Sequence, residues 1–405
     1  MEMLPILRTL RRNKLGAGLI AVQIAVTLAI ISNCLSMIQQ RMQWMDRPTG
    51  IDEANIFEMT NIWLSNPPDL KARIEADLAA LRSIPGVVDV EATNSSPLTG
   101  IEWHWPLGKQ SNHDEFIAWT AIYPLDEYGL TTYGLKLNVG RWFTGSEVGE
   151  IRSGEVKIPG SVVITQSVAD GLFPAGGALG NTLYFQHGGS SRIVGIIRKM
   201  QRPGDVSGWG NPWREYSIFI PYQYLNSELM YVVRTKPGEQ ATVLHAAPAK
   251  LRELTHDRII RDVQPFAQIR RQAERGNRTT TVILGTLAAL LLIITAFGVI
   301  GLTMYWVGQR RRQIGMRRAL GARRSDILRY FHIENLLIAG FGCVLGVALG
   351  LAGNTWIAAH LEIHRMGLAY ACSGALIVLV LCQLAVLWPA LRAASVPPAI
   401  ATRGL

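Results

Sequence analysis

The residues best suited to a chemical role are arginines. Arg310, Arg311, Arg312, Arg317, Arg318, Arg323, Arg324 and Arg329 crowd a short segment, Gly308–Phe331, with a lone acidic residue, Asp326, among them. Guanidinium groups at this density bind carboxylates or phosphates; they do not make or break bonds. Catalytic constellations are absent by comparison. There is no G-x-x-x-x-G-K-[ST] phosphate cradle. Gly176–Gly180 resembles one, but Asn181 and Thr182 supply no lysine. His332-Ile333-Glu334 is not H-E-x-x-H, and no G-x-S-x-G or Ser/His/Asp pattern is visible. His104 and His113 lie near Trp103 and Trp105 and read as surface or core histidines, not metal ligands. We expect no catalytic residue, no metal site and no cofactor in this chain.

The arginine segment has internal structure. Ile314, Met316, Ala319, Leu320 and Ala322 suit a small helix offering a face to a partner, and Gly315 and Gly321 break it into turns. Ser325 with Asp326 is expected to cap the start of a new helix. A solvated loop is the plainer reading of the composition.

The elements positioning this segment are four long apolar runs, Leu15–Gln40, Thr279–Gln309, Asn335–Leu361 and Met366–Leu391. Each exceeds the roughly 20 residues that cross a bilayer core as a helix. The expected class is a multi-pass α-helical membrane protein with four transmembrane helices and a large α+β extracytoplasmic domain. The net charge of +10 would suit nucleic acid, but its distribution argues against that partner. Residues 39–277 hold 24 basic and 26 acidic side chains; the rest hold 16 and 4. The positive charge flanks the spans, where it reports topology and meets anionic membrane lipid. Both termini and the arginine segment are therefore expected in the cytoplasm.

The expected organisation is a cytoplasmic flank 1–14, spans at 15–40, 279–307, 333–358 and 367–391, an external domain 41–275, a cytoplasmic segment 308–330 and a tail 392–405. Leu4, Leu7 and Leu10 could lay residues 3–14 on the inner leaflet. The first span reads as an uncleaved anchor. Gln39–Arg47 and Gln264–Arg278, with Phe266, Ile269 and Ala273 at helical spacing, read as helical stalks. Between them stand two β-α-β units. The first is a strand near 55–61, a helix 69–83 with Leu70, Ile74, Leu78 and Leu81 on one face, and a strand near 87–92. The second has a strand 230–235, a helix 239–255 that Pro248 should kink or split, and a strand 258–263. Two such units can share one antiparallel sheet. The interval 94–228 is then an inserted β-rich lobe. Cys34, Cys343, Cys372 and Cys382 all lie in the spans, so the external domain folds without disulfides. Its loop QRPGDVSGWGNPW, residues 201–213, offers Trp209 and Trp213 either to a partner or substrate or to a buried plug.

In the third span Gly342, Gly346 and Gly350 recur every fourth residue, with Gly353 on the same face and Gly340 opposite. Such a stripe lets another helix approach closely, within the protomer or between subunits.

Several stretches together resemble one family. RRQIGMRRALGARRSDILRYFHIENLLIAGFGCVLGVALG, residues 311–350, is similar to the permease subunits of MacB/FtsX-type ABC transporters, which share an Arg-Glu-Ile-Gly-x-Arg-x-Ala-x-Gly-Ala block before a Gly-rich span. YGLKLNVGRWFT (133–144) resembles that family's long-GR-F turn. Residues 161–200 resemble its strand, helix, Leu-Phe, Leu-Gly, strand passage, and WPALRAASVPPAIATRGL (388–405) its ending. This chain departs at Gln313, where the family has Glu, and at His332, where it has an aliphatic residue.

The resemblance implies that Gln313, Ile314, Gly315, Met316, Arg317, Arg318, Ala319, Leu320, Gly321 and Ala322 form a coupling helix seated in a cytoplasmic ABC ATPase. ATP and magnesium would belong to that partner. It implies a bacterial inner membrane and two permease subunits, identical or paralogous. It leaves room for a periplasmic adaptor and an outer-membrane duct, and for export or extraction of a substrate by transmitted motion. A membrane receptor using the same external domain is the alternative reading; it would signal through a separate partner.

Overall fold

The computed structural model describes residues 14–65, 69–109, 118–186, 188–204, 215–361 and 366–395. Residues 3–13, His113, Trp209, Trp213, the turn at 362–365 and the stretch from 396 onward lie outside the described residues. The chain divides into two compact units, Met1–Asp46 with Gly276–Leu405, and Arg47–Arg275.

The membrane unit opens with α1, Lys14–Met45, which runs as helix through the polar Gln39–Met45 stretch. Among the described residues, four helices are long and apolar enough to cross a membrane.

The α+β domain starts with β1 (Ile56–Trp63), α2 (Leu70–Arg82) and β2 (Val87–Thr93). An inserted lobe follows: β3 (Trp103–Gly108), β4 (Ala118–Pro124), α3 (Gly129–Tyr133), β5 (Leu137–Gly140), β6 (Gly149–Arg152), β7 (Ser161–Thr165), α4 (Gln166–Leu172), β8 (Thr182–Phe185), β9 (Ser190–Ile197), β10 (Ser217–Ile220) and β11 (Tyr222–Leu225). The chain then returns through β12 (Glu228–Thr235), α5 (Gln240–Leu254), β13 (Arg258–Pro265) and a short α6 (Phe266–Ala273).

The two β-α-β units share one four-stranded sheet in the order β13-β1-β12-β2, antiparallel throughout. Each unit leaves a gap that a strand of the other fills. Alternation along the strands sends Phe57, Met59, Val90, Tyr231 and Val233 to one face, under Ile74 and Leu78 of α2 and Val243 and Leu251 of α5. The helix is not split at Pro248. α5 is one helix through it, and the ring is buried among the apolar residues of that face. Burial of the ring offsets the lost N–H bond.

The opposite face, with Ile56 and Val232, packs on Tyr123, Val163 and Phe219 of the lobe. Seven of the lobe's nine strands run β5-β9-β7-β10-β4-β3-β8, β8 also pairs with the start of β9, and β6 and β11 pair with each other. Six strands thus close into a small barrel, which removes their free edges, while β5 lies beside the end of β9. Leu107, Ile122, Ile164, Leu183, Ile193 and Ile218 belong to its apolar core.

The lobe-facing side of the sheet also carries acids. Glu58 and Glu91 flank Val232 in register and are both buried. The Ser96 hydroxyl donates to Glu58, and the Asp126 N–H donates to Glu91 at 3.2 Å. Burial pushes the Glu58 carboxyl up to about 8 and raises Glu91 well above the carboxylate range, with the nearby Asp126 charge adding to the second shift.

Candidate functional site: an arginine-rich elbow and the helices that hold it

The remaining membrane-unit helices are α7 (Arg275–Gln309), α8 (Arg311–Ala319), α9 (Arg324–Leu361) and α10 (Leu368–Ala394). α8 is the elbow between α7 and α9, and its two ends are defined by backbone chemistry. At its C-terminus the Gly321 N–H donates to the Arg318 carbonyl at 3.2 Å and the Ala322 N–H to that of Arg317 at 3.1 Å. This is the Schellman arrangement, and Gly321 at φ +96° supplies the left-handed residue it requires. The next helix then starts at once. Ser325 is not its cap: the flanking residue is Arg323, whose N–H donates to the Asp326 carboxylate at 2.8 Å. An acidic side chain in the first turn also suits the helix dipole.

The ten residues Gln313–Ala322 divide between two sides. Ile314 and Gly315 are buried, with Ile314 in a cluster that includes Trp306, Ile327, Phe331 and Ala390. Gln313, Met316, Arg317, Ala319 and Leu320 are exposed, Met316 by 51% and Leu320 by 87%. Arg318 and Ala322 are half-buried. The apolar residues therefore do not form one face: Ile314 anchors the elbow, while Met316 and Leu320, four apart, stand outward among arginines.

A second anchor escaped the sequence reading. Arg310 Nη1 lies 3.0 Å from Glu334 Oε2 of α9, with the carboxylate buried. Arg310 also lies over the Trp306 ring at 5.8 Å, and Arg317 over the Tyr330 ring at 5.2 Å. The signal was present in the sequence as a glutamate at the start of an apolar run, where an unpaired carboxylate would be costly.

Behind the elbow, α9 lies against α1. A Cβ on Gly342 would sit 2.9 Å from the Ala21 carbonyl oxygen, and one on Gly346 2.8 Å from that of Ala25. At Gly350 the nearest atom, Ala29 Cα, is 3.3 Å away. Gly353 and Gly340 meet nothing within 4 Å. The close contact thus ends one turn before Gly353. Neutral hydrogen bonds complete the bundle: Thr27 to Thr295 at 2.8 Å, Asn354 Nδ2 to Asn33 Oδ1 at 3.0 Å, and the Met366 N–H to Asn354 Oδ1 at 2.7 Å. His332 Nδ1 meets Gln383 Oε1 at 2.8 Å, joining α9 to α10. In the α+β domain His104 is exposed beside Trp119, and among the described residues no group of His, Cys, Asp and Glu is arranged to hold a metal ion.

Four membrane helices, a large α+β insertion after the first and a basic elbow after the second define a permease of the FtsX-like architecture. Residues 20–251 match the MacB-like periplasmic core domain, residues 285–398 match the FtsX-like permease C-terminal region, and the chain belongs to the MacB/FtsX-type ABC transporter permeases. It is similar to the macrolide export ATP-binding/permease protein MacB of Neisseria gonorrhoeae, 28% identical over 238 residues, covering 57% of this chain and 35% of that protein. The MacB of Rhodopseudomonas palustris strain HaA2 is 30% identical over 317 residues, covering 75% of this chain and 44% of that one. The chain thus spans less than half the length of these curated relatives. Among solved structures, the periplasmic region of MacB from Actinobacillus actinomycetemcomitans is 18% identical, with 56% of this chain and 94% of that one covered at a TM-score of 0.35.

Proposed function

We propose that this chain is the transmembrane permease subunit of a MacB-like ABC transporter, and that α8 is its docking element for a separate cytoplasmic ATPase. The observation that carries the reading is the division of α8. Ile314 and the Arg310–Glu334 pair fix the elbow to the bundle, while Met316 and Leu320 face outward inside a rim of arginines. An apolar pair ringed by positive charge suits a cleft with an apolar floor and acidic walls. A push on α8 would reach α9 through the Arg310–Glu334 pair and α7 through the continuous backbone.

In this reading ATP and magnesium are bound and hydrolysed by the partner, two permease subunits face each other, and the arginines lie in the cytoplasm with both termini. The α+β domain is then periplasmic. It receives the movement and acts on a substrate on the outer side, by export or by extraction. The asymmetry of positive charge around the spans supports that orientation.

The test is co-purification. The wild-type chain should bring down an ABC ATPase, and ATP turnover should require that partner. Met316→Glu should release the ATPase while the permease still inserts and melts as before, because Met316 is exposed in the permease alone. Undiminished ATPase recovery with Met316→Glu would remove α8 from the docking role.

A further inference from the structure

A cavity of about 620 Å³ opens within the α+β domain. That volume lies in the usual range for small-molecule sites, about 300–1,000 Å³. Glu58 and Thr60 of β1 and Met230 of β12 contribute one wall; Asn94, Leu98 and Trp103, from the crossover between β2 and β3, contribute another. Arg261 and Asp262 of β13 and Ile269 of α6 line it as well.

Three independent features single it out. First, Leu98 at φ +67° and Asp262 at φ +53° are the two non-glycine residues with left-handed backbone among the described residues, and both line this cavity. Such backbone is unfavourable for L-residues and clusters where a site is held in shape. The two arise separately: Leu98 follows Pro97 in the crossover, and Asp262 sits where β13 carries an extra residue opposite Glu58–Thr60. Second, both polar atoms of the Asn94 carboxamide are buried and make no hydrogen bond within the protein. Buried amide groups ordinarily have partners. Third, the one cation on the wall is already engaged by two carboxylates. Arg261 Nη2 lies 2.5 Å from Glu228 and its Nε 3.4 Å from Asp262.

We propose that this cavity binds a small, non-anionic, amphipathic carboxamide. Asn94 offers one donor and one acceptor side by side, and another amide answers both at once. Leu98, Met230, Ile269 and the face of Trp103 receive an apolar substituent. Glu58 enters as a neutral acid near pH 7: burial pushes its carboxyl to about 8, Ser96 donates to it, and no cation opposes it. The other titratable groups near it are the phenols of Tyr123 and Tyr133, both driven well above the ordinary tyrosine range by burial and so neutral as well. An anionic ligand would find no free cation on this wall, because Arg261 is held by Glu228 and Asp262. The site belongs to the α+β domain alone and stands apart from the docking role of α8.

Saturation-transfer NMR on the full chain in lipid nanodiscs tests this, with N-acetyl-L-phenylalaninamide as probe and empty nanodiscs subtracted. The neutral probe should give a saturable signal. Its anionic analogue, N-acetyl-L-phenylalanine, should bind about tenfold more weakly near pH 6. Asn94→Leu should abolish the signal while retaining or raising the melting temperature, since it removes a buried unpaired amide. Should that variant fail to fold, Glu58→Gln carries the test. It should match the wild type near pH 6 and keep its affinity near pH 9, where the wild type weakens as Glu58 ionises. The proposal fails if the neutral probe does not saturate, if Asn94→Leu binds it as well as the wild type, if the anionic and neutral analogues bind alike, or if wild type and Glu58→Gln share one pH profile.

Discussion

The α+β domain and the membrane bundle both bury polar groups, but they bury different kinds. The α+β domain encloses a full ion pair. Arg258 and Asp77 meet at 2.8 Å with side-chain exposures of 1% and 0%. The Tyr231 hydroxyl donates to the same carboxylate at 2.6 Å, and the guanidinium lies 4.0 Å from the Trp63 ring centroid. In the bundle the buried and half-buried interhelical bonds are mostly neutral: threonine to threonine, asparagine to asparagine, histidine to glutamine. One ion pair, Arg310–Glu334, stands at the elbow where the apolar run begins. The difference follows from the solvent. A domain folded in water gains enough from apolar burial to offset the desolvation of a well-bonded pair. Helices in lipid have no hydrophobic drive toward one another, so they rely on close approach and neutral hydrogen bonds.

The comparison breaks first, and hardest, at Asp77. Asp77→Ala leaves Arg258 buried without its carboxylate and should cost about 3–5 kcal/mol. Denaturant melts of residues 47–275 expressed alone would measure it. The double change Asp77→Leu with Arg258→Met should recover most of the loss, because the charge and its desolvation leave together. A double variant as unstable as the single would mean that the pair supplies more than charge balance.

A pH scan comes next. Glu58 is raised from 4.5 to about 8 in the folded domain. Its contribution to stability is therefore fully present below about pH 4.5 and is lost as the pH rises toward 8. Glu91 and Asp126 are shifted in the same direction. The domain should melt at a lower temperature near pH 8 than near pH 5, and Glu58→Gln should flatten that slope. A melting temperature that rises over this interval would contradict the burial of these acids.

Such groups explain where the sequence stops being legible. The spans, both β-α-β units and the helix faces could be read because each rests on a local period: a long apolar run, or leucines three and four apart. Leu70, Ile74, Leu78 and Leu81 are all buried in α2. The barrel could not be read. Its parallel pairs, β10 with β4 and β7 with β9, join segments far apart in sequence, and no local pattern encodes their register. The burial of Glu58 and Glu91 was hidden for a related reason. Alternation in a strand announces two faces, yet only the inserted lobe decides that the acidic face is covered. At the elbow, the glycine turn and the arginines were legible in composition, whereas the inward turn of Ile314 and the Arg310–Glu334 anchor needed the third dimension.

In the bundle the matching break is steric. Gly346→Leu drives a side chain into the Ala25 carbonyl, 2.8 Å from where its Cβ would lie. Backbone cannot step aside as a rotamer can, so the cost should reach at least about 1–3 kcal/mol. Gly340→Leu, with nothing within 4 Å, should be near neutral. Thermal melts of the two variants in the same detergent give the contrast. Equal melting temperatures would mean that α1 and α9 are not tightly joined at Gly346.

The smallest effect should come from the most conspicuous residues. Arg317 is exposed, and its guanidinium lies 5.2 Å from the Tyr330 ring centroid. Tyr330 is half-buried, and a cation–ring contact at such a site contributes about 0.5–1 kcal/mol, which salt weakens further. Arg317→Ala should therefore leave the melting temperature almost unchanged. ATPase recovery should fall only modestly, and more at high salt than at low. Gly321→Val is the informative counterpart. Its Cβ would meet nothing within 4 Å, so no contact is lost, yet φ +96° is strained for any β-branched residue. If the elbow acts through its shape, Gly321→Val should impair docking more than Arg317→Ala despite leaving every charge in place. If it acts through charge alone, the order reverses.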